Sequence, residues 1–429
     1  MPLIIPLGKK LKSAVRKITA APPRLSFARR IDRVMTGERV CAMTFDDGPA
    51  DVAAYPGDPG RLLTRTVAQA LENAGAKGTF DVIGTTAGNY PDECGRTGTP
   101  SWSGVAFDHY PSFGNDALGG AENCRDTLKL LADAGHEITN HSYSHVIFGR
   151  KRIVYGSRKF LPDLESATGD IKKLNELVLS VTGRSPVFMR PPHYADRIAG
   201  GFSSYDAIGL CGMQYLGASF DGGGWLPENV KTRGAADENA SYKLEVEKCV
   251  RPLEEALKND PDALCGRIIF NKDGFNMAKR SPVADAVPLQ LEVLKKYGYR
   301  VVTVSELVGI SPFSDIAPGE IASAFSMLCK TRAAAFFDNT VKPDAVLTRG
   351  QAAVMTCGGR EALLRKIALR REKRSPCRDV SYKDEYCGAV SVALERGIMK
   401  AKDGLFSPDA PYGNMTRGEF AVKLAEELE

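Results

Sequence analysis

Between residues 39 and 304 the chain alternates two patterns of hydrophobic and polar positions. Short, mostly apolar runs recur at RVCAMTF (39–45), GTFDVIG (78–84), HEIT (136–139), PVFMRPP (186–192), GMQYLGASF (212–220), GRIIFN (266–271) and YRVVTV (299–304). Bounded by glycine, proline or charged residues, they predict buried strands. Between them, 61–75, 122–135, 161–183, 241–258 and 288–298 carry apolar residues at helical spacing and predict helices. This alternation predicts an α/β fold with a parallel sheet, open or closed into a barrel. In such folds the chemistry gathers in loops at the strand C-termini. Residues 85–121 interrupt the rhythm with glycine, proline, asparagine and aromatics, and read as an insertion.

Past residue 312 the strands stop and two segments look alike. SDI (314–316) and KPDAVLTRGQAAVM (342–355) are matched by RDV (378–380) and FSPDAPYGNMTRGEFAVKLAEELE (406–429), with a helical stretch at 386–399. Pro343–Asp344 recurs as Pro408–Asp409, and Thr348–Arg349–Gly350 as Thr416–Arg417–Gly418, the mark of a duplicated small helical unit. Between the copies, REALLRKIALRREKR (360–374) is a basic helical run that predicts a solvated face or one turned to an acidic polymer. KKLKSAVRKIT (9–19) predicts a short basic amphipathic helix, either a solvated leader or a contact for anionic lipid or polymer. The domain reading is a basic leader at 1–34, an α/β unit at 35–312 and two helical repeats at 313–429.

Composition narrows the class without naming the chemistry. The 429 residues, 43% hydrophobic and 25% charged, are those of a globular protein and exclude wholesale disorder or a collagen-like fibre. The net charge of +5 is too small to imply nucleic acid, and residues 1–34 concentrate it, with nine Lys and Arg against one Asp. No apolar run approaches the ~20 residues a membrane span needs. The ten cysteines include no C-x-x-C pair and read mostly as reduced thiols packed as small hydrophobes. The apolar stretch at 2–7 precedes its lysines and lacks a cleavage site, so no secretory signal is expected, which by itself favours the cytoplasm.

Two polar clusters stand where strands end. TFDDGP (44–49) places Asp46 and Asp47 side by side at the end of a buried strand, where they repel unless a metal or a cation compensates. NHSYSH (140–145) puts His141 and His145 four residues apart just after another strand, where one helical turn would aim both at one point. The chain has only five histidines, so two at this spacing carry weight. One Asp and two His leave open positions on a metal for water and substrate.

TFDDGP, NHSYSH and Arg190–Pro191–Pro192, followed by GRIIFNKDG and GYRVVTVSELV, resemble the polysaccharide deacetylase (NodB-homology, carbohydrate esterase 4) family over about residues 37–308. The resemblance implies a deformed (β/α) barrel that removes N- or O-acetyl groups from a carbohydrate polymer of the chitin, peptidoglycan or xylan kind. It implies a divalent metal, Zn foremost with Co, Ni or Mn as alternatives, held by Asp47, His141 and His145. Asp46 would be the general base, Arg190 would orient it, and the His193 backbone N–H would help to stabilise the oxyanion. Trp225 and Leu307 would line the acetyl pocket.

The later motifs depart from the family pattern. His193 stands in place of a tyrosine, with Tyr194 following. The Asp-x-x-Asp-Trp motif appears as Asp221–Gly222–Gly223–Gly224–Trp225, so Asp221 is kept and the aspartate that normally steadies the arginine is Gly224. Lys272, in Phe270–Asn271–Lys272–Asp273, occupies the position of the general-acid histidine. A lysine of ordinary pKa, ~10.4, is a poorer proton donor than imidazole. Three readings follow: Lys272 acts as a modified acid, His193 takes that role, or the site binds without turnover. In the insertion, Trp102, Asp108, His109 and Tyr110 would either meet sugar rings or form a small core of their own.

KPDAVLTRGQ and SPDAPYGNMTRGEF resemble S-layer homology (SLH) repeats, modules that hold bacterial proteins on anionic secondary cell-wall polymers. Arg349 and Arg417 match the position that contacts polymer in that family. Both resemblances imply the cell envelope, against the missing export signal. The expectation is a metal-dependent polysaccharide deacetylase with a carbohydrate polymer as substrate, an anionic wall polymer as second partner, no nucleic acid and no transmembrane segment. The alternatives are a catalytically impaired wall-binding protein and a small-substrate amide hydrolase of the same family.

Overall fold

The computed structural model describes residues 25–55, 57–86, 117–149, 160–223, 238–274 and 281–428. Nine strands form one sheet: β1 (Arg30–Ile31), β2 (Val40–Asp46), β3 (Thr79–Val82), β4 (Glu137–Asn140), β5 (Phe188–Met189), β6 (Gln214–Leu216), β7 (Phe220–Asp221), β8 (Ile268–Lys272) and β9 (Arg300–Val302). Their order is β7–β8–β2–β3–β4–β5–β6–β1, with β9 also on β2, and every pairing is parallel. The sheet curls until its edges nearly meet, where Val34 N donates to Gly266 O at 2.9 Å and Ile268 N to Asp32 O at 3.3 Å. The parallel sheet is the one the sequence pattern predicted, and its curl is the deformed (β/α) barrel that the family resemblance implied. The expected strand at 212–220 is broken into β6 and β7, and at Gly217 between them a Cβ would lie 2.7 Å from the side chain of Asp32.

Alternation along β2 sorts its side chains between two environments. Cys41, Met43 and Phe45 pack under the outer helices with Val67 and Leu71 of α1 (Leu63–Asn73), Leu128 of α2 (Arg125–Asp133), and Val287 and Leu291 of a later helix at 283–296. Val40 and Ala42 fill the barrel interior with Ile31, Phe188, Leu216 and Ile268. Thr44 and Asp46 share the parity of that interior row but stand at the C-terminal end, where apolar packing gives way to polar groups. α3 (Leu164–Thr182), within the helical stretch expected at 161–183, starts at an Asp163–Ser166 capping box and ends at Gly183 in the left-handed region (φ 72°). α4 (Ser204–Leu210), α5 (Glu238–Asn259) and α6 (Val283–Lys296) complete the outer layer, while α7 (Val304–Ile310) packs Val304 and Leu307 against Val40 and Ala42 of the interior.

The stretch expected as a leader at 1–34 is structured from Leu25 onward. Leu25–Ser26 pairs antiparallel with Ala335–Phe336 of the C-terminal region, while β1 joins the barrel sheet. One short segment is therefore shared by both parts of the molecule. The proposed helix at 9–19 lies outside the described residues.

The C-terminal helices are α8 (Glu320–Thr331), α9 (Arg349–Cys357), α10 (Arg360–Glu372), α11 (Cys387–Glu395) and α12 (Arg417–Glu426). The duplication read from the sequence appears as reciprocal hydrogen bonds. Gly350 N donates to Pro408 O and Gly418 N to Pro343 O, both at 2.8 Å. Arg349 N donates to Ala410 O and Arg417 N to Ala345 O, both at 2.9 Å. A Cβ at Gly350 or Gly418 would lie 3.1 or 3.2 Å from the opposing proline carbonyl, which explains the glycine of Thr-Arg-Gly. Thr348 and Thr416 cap α9 and α12 in boxes with Gln351 and Glu419. Each repeat completes the helix start of the other.

The basic run at 360–374 corrects an expectation. It is α10, and its central charges are buried between the two parts of the molecule instead of facing a polymer. Lys366 Nζ lies 2.5 Å from Asp206 at the start of α4 and 2.6 Å from Glu385, and Arg370 lies 2.8 Å from Glu385. Arg370 also donates to the Gly201 carbonyl. Burial acts to raise the Glu385 carboxyl, but Lys366 and Arg370 hold it down at about 2. Leu363 and Ile367 pack beside these pairs into a cluster with Ala207 and Ile208. Removing one partner of a buried pair costs about 3–5 kcal/mol. Lys366→Met should lower denaturant stability by that order and speed proteolysis between the two parts; unchanged stability would mean that the pair does not hold them together.

Candidate metal and acid–base site

The site grows from the register of the sheet. Lys272 of β8 is opposite Asp46 of β2, Asp46 opposite Asp81 of β3, and Asp81 opposite Thr139 of β4. Parallel partners in register present their side chains on one face, so four adjacent strands build a single polar row at their C-terminal ends. Asp47 follows with φ 70°, a left-handed backbone that turns its carboxylate out of strand parity. Gly48 is needed beside it, because a Cβ there would lie 2.4 Å from the Asp273 carboxylate.

The two histidines reach Asp47 by a route that the sequence did not predict. Residues 141–146 form a bent loop instead of a helical turn, with Ser142 at φ 72° and His145 at φ 52°. Asp170 of α3 holds this loop, accepting from Tyr143 N at 2.7 Å, Ser144 N at 3.2 Å and Ser144 Oγ at 2.5 Å. The rings converge, His141 Nε2 at 3.0 Å and His145 Nε2 at 3.2 Å from the same Asp47 oxygen. His141 Nδ1 lies 2.7 Å from the Arg190 carbonyl, and donating there leaves Nε2 as the nitrogen with a lone pair. His193 and Tyr194 also have left-handed backbones, and the His193 ring centre lies 5.7 Å from that of His145. Five non-glycine residues in this region of φ/ψ space thus surround one cleft, where their neighbours must hold them.

Arg190 is fully buried and held on every side. It pairs with Asp46 and donates to Thr44 Oγ1 at 3.1 and 3.2 Å, to Gly217 O at 2.9 Å and to Leu216 O at 3.4 Å. Lys272 pairs with Asp47. Asp273, to which the sequence reading gave no role, is buried behind Gly48 and accepts from Thr64 Oγ1 at 2.7 Å.

The donor set fits a divalent cation. Asp46, Asp47, Asp81 and Asp273 are all buried, while Arg190 and Lys272 are the lysine and arginine paired with them among the described residues, which leaves two negative charges in surplus. Without a cation the surplus is met by protons. Burial pushes Asp46 up to about 7 against the pull of Arg190, and it pushes Asp273 up to about 7 as well. Burial also opposes charge on His141, yet Asp46, Asp47 and Asp81 hold it well above the ordinary imidazole range. For Asp47 the upward push of burial is outweighed by His145, Lys272 and His141, so it stays ionised. Burial lowers His145 to about 4, which keeps its lone pair available at neutral pH. Asp47, His141 and His145 bring one donor atom each to within 4.8 Å of one another. A second group, Asp46, Asp81 and His141, meets the same distance, but Arg190 already pairs with Asp46 there and His141 turns Nδ1 toward the Arg190 carbonyl.

Other expected site residues fall elsewhere. Leu307 is fully buried with Val40, Ala42 and Ile268 at the opposite end of β2, in the core instead of an acetyl pocket. Asp221 is exposed and accepts from Gly223 N at 2.9 Å. Trp225, Gly224, Trp102, Asp108, His109 and Tyr110 lie outside the described residues. In the C-terminal repeats Arg417 is buried, its guanidinium 4.0 Å from the Phe336 ring centre, and desolvation lowers its pKa to about 9. Arg349 is half-buried and donates to the Phe406 and Lys400 carbonyls at 2.8 Å. Nine cysteines are described and all carry free thiols. Among the described residues no helix is long and apolar enough to cross a membrane.

Comparison with known proteins agrees with this picture. Residues 33–197 match the polysaccharide deacetylase family, and residues 378–421 match the S-layer homology domain. Over 277 residues, 64% of this chain and 91% of the relative, it is 26% identical to a peptidoglycan-N-acetylglucosamine deacetylase of Bacillus cereus. Among solved structures it is similar to a peptidoglycan deacetylase from Bacillus subtilis, with 21% identity over 64% of this chain and 92% of the other, at TM-score 0.38. A CE4 family pseudoenzyme from Bacillus anthracis matches at 14% identity over 65% and 68%, at TM-score 0.40. Overlaps this loose leave the chemistry to be argued from the residues of this chain.

The pH dependence of stability tests the charge surplus. From about pH 4, where an unfolded chain releases its aspartate protons, the native state still holds them on Asp46 and Asp273, so stability falls as pH rises from there through 7. His141, raised well above its ordinary value, acts in the same direction. The metal-free protein should therefore melt at lower temperature at pH 8 than at pH 6.5. A divalent ion should raise the midpoint more at pH 8, as scanning calorimetry would read. A flat profile with no metal effect would remove the case for a cation-balanced site.

Proposed function

We propose that this protein is a metal-dependent hydrolase that removes acetyl groups from an amino-sugar polymer of the bacterial envelope, of the peptidoglycan or chitin kind. The observation that carries the reading is the convergence of Asp47, His141 and His145 on one point beside the Asp46–Arg190 pair. These three would hold the ion, Zn foremost, with Co, Ni or Mn able to fill the same donor set. When bound, the ion supplies Lewis acidity toward the acetyl carbonyl. Asp46 would take the proton from the attacking water as its oxygen bonds to the acetyl carbon, and Arg190 would hold that carboxylate in line. The backbone N–H of His193 would donate to the developing oxyanion. The C–N bond then breaks, acetate leaves and the amine takes a proton from the His193 ring or the Lys272 ammonium. SLH repeats support attachment to an anionic wall polymer, with Arg349 nearer the surface than Arg417.

Lys272 supports a second reading, a wall-binding protein with impaired turnover. Its ammonium pairs with Asp47, so a fixed positive charge sits against a proposed ligand. The two readings separate by experiment. Under the first, the purified chain loaded with Zn or Co releases acetate from peptidoglycan or chitin oligomers, and Asp47→Ala and His141→Ala lower the rate at least a thousandfold while leaving the fold intact. No acetate from any metal form, with polymer binding kept, would favour the second. Lys272→Met should tighten divalent binding several-fold in calorimetry under either reading, by removing a competing cation. Lys272→His should raise turnover if proton donation to the amine limits the rate.

A further inference from the structure

We infer that Asp81 is a positioning residue of this site, a buried carboxylate that braces Arg190 and His141 together from behind. The inference rests on the deacetylase reading for its catalytic meaning but not for its geometry. Asp81 is fully buried in β3, where its neighbours Phe80 and Val82 face the apolar layer. A carboxylate in such a strand is costly to bury unless something compensates. Three contacts do so: Thr139 Oγ1 donates to Oδ1 at 2.7 Å, while Oδ2 lies 3.3 Å from His141 Nδ1 and 3.7 Å from Arg190 Nε.

The register makes this more than a satisfied core group. Asp46 and Asp81 are directly opposite on adjacent strands, so two carboxylates of one sign face the same way. Arg190 reconciles them, with Nη1 on Asp46 and Nε toward Asp81. Held from both sides, the guanidinium keeps Asp46 in place at the edge of the site. His141 Nδ1 points at the Arg190 carbonyl and the Asp81 carboxylate together, which fixes the ring plane and leaves Nε2 directed at Asp47. A carboxylate behind a ligating imidazole both orients it and raises its donor strength. Asp81 thus links the proposed base and a proposed metal ligand through one buried group that touches neither substrate nor ion.

The test is Asp81→Asn, which keeps shape and the bond to Thr139 but removes the charge. Calorimetric titration with Co²⁺ should show affinity about 10–100-fold weaker than in the unsubstituted protein, the usual cost of losing such a partner. Acetate release from chitin oligomers by the loaded protein should fall in kcat with KM within about twofold, a split that a merely loosened fold would not give. A third measurement needs neither metal nor activity. In a cycle of Asp81→Asn, Arg190→Gln and the double variant, the losses in melting temperature should fall short of additive, because the charges support each other. Co²⁺ affinity equal to that of the unsubstituted protein, or strictly additive losses, would overturn the inference. If the unsubstituted protein binds no cation and releases no acetate, the deacetylase reading falls, and the cycle alone decides whether Asp81 braces Arg190.

Discussion

The barrel of this protein is organised around an imbalance of buried charge. Asp46, Asp47, Asp81 and Asp273 are brought together at the C-terminal end of a parallel sheet, with Arg190 and Lys272 as paired cations. Burying carboxylates in such numbers is unfavourable, and each device around them reduces the cost. Arg190 is saturated with acceptors, Asp273 and Asp46 retain protons near neutrality, and two imidazoles crowd one oxygen of Asp47. A divalent cation at the point where the imidazoles converge would balance the same surplus in place of those protons.

The surrounding fold is rigid where that demand requires it. Interior apolar packing ends at Ala42, the polar row begins at Thr44, and helix α3 anchors the histidine loop through Asp170. The loops on which the site is built hold left-handed backbone at Asp47, Ser142, His145, His193 and Tyr194, conformations that persist only where neighbours overdetermine them. The C-terminal repeats meet the same barrel through buried ion pairs on α10 and the segment at 25–31 that serves both parts. A polymer bound by the repeats would therefore be tied to the site by packed chain and not by an open linker.

Much of this was legible before any coordinates. The parallel sheet, the duplication and the two clusters that hold Asp46–Asp47 and His141–His145 follow from local signals: apolar runs ending in polar clusters, a repeated Thr-Arg-Gly and two of five histidines four apart; which aspartate joins the histidines came from the family resemblance. Asp81 is visible as well, a charged residue within GTFDVIG, but a strand pattern alone gives it no role. Asp170 and Asp273 gave no such cue, since an acidic residue in a helix or a loop is ordinary until its neighbours are known. Leu307 was misplaced because alignment to a motif gives an order along the chain and not a depth in the barrel.

The sequence by itself determined the alternating elements, the duplicated unit and the types of side chain offered for chemistry, because hydrophobic period and residue type are properties of neighbouring positions. Only the tertiary structure decided which of those side chains meet. The register of four strands lines up Lys272, Asp46, Asp81 and Thr139, which are up to 226 residues apart in the chain. A turn held by Asp170 converges the histidines, and α10 is buried where charge alone predicted exposure. Such pairings arise from strand order and packing across long stretches of chain, which no local pattern encodes.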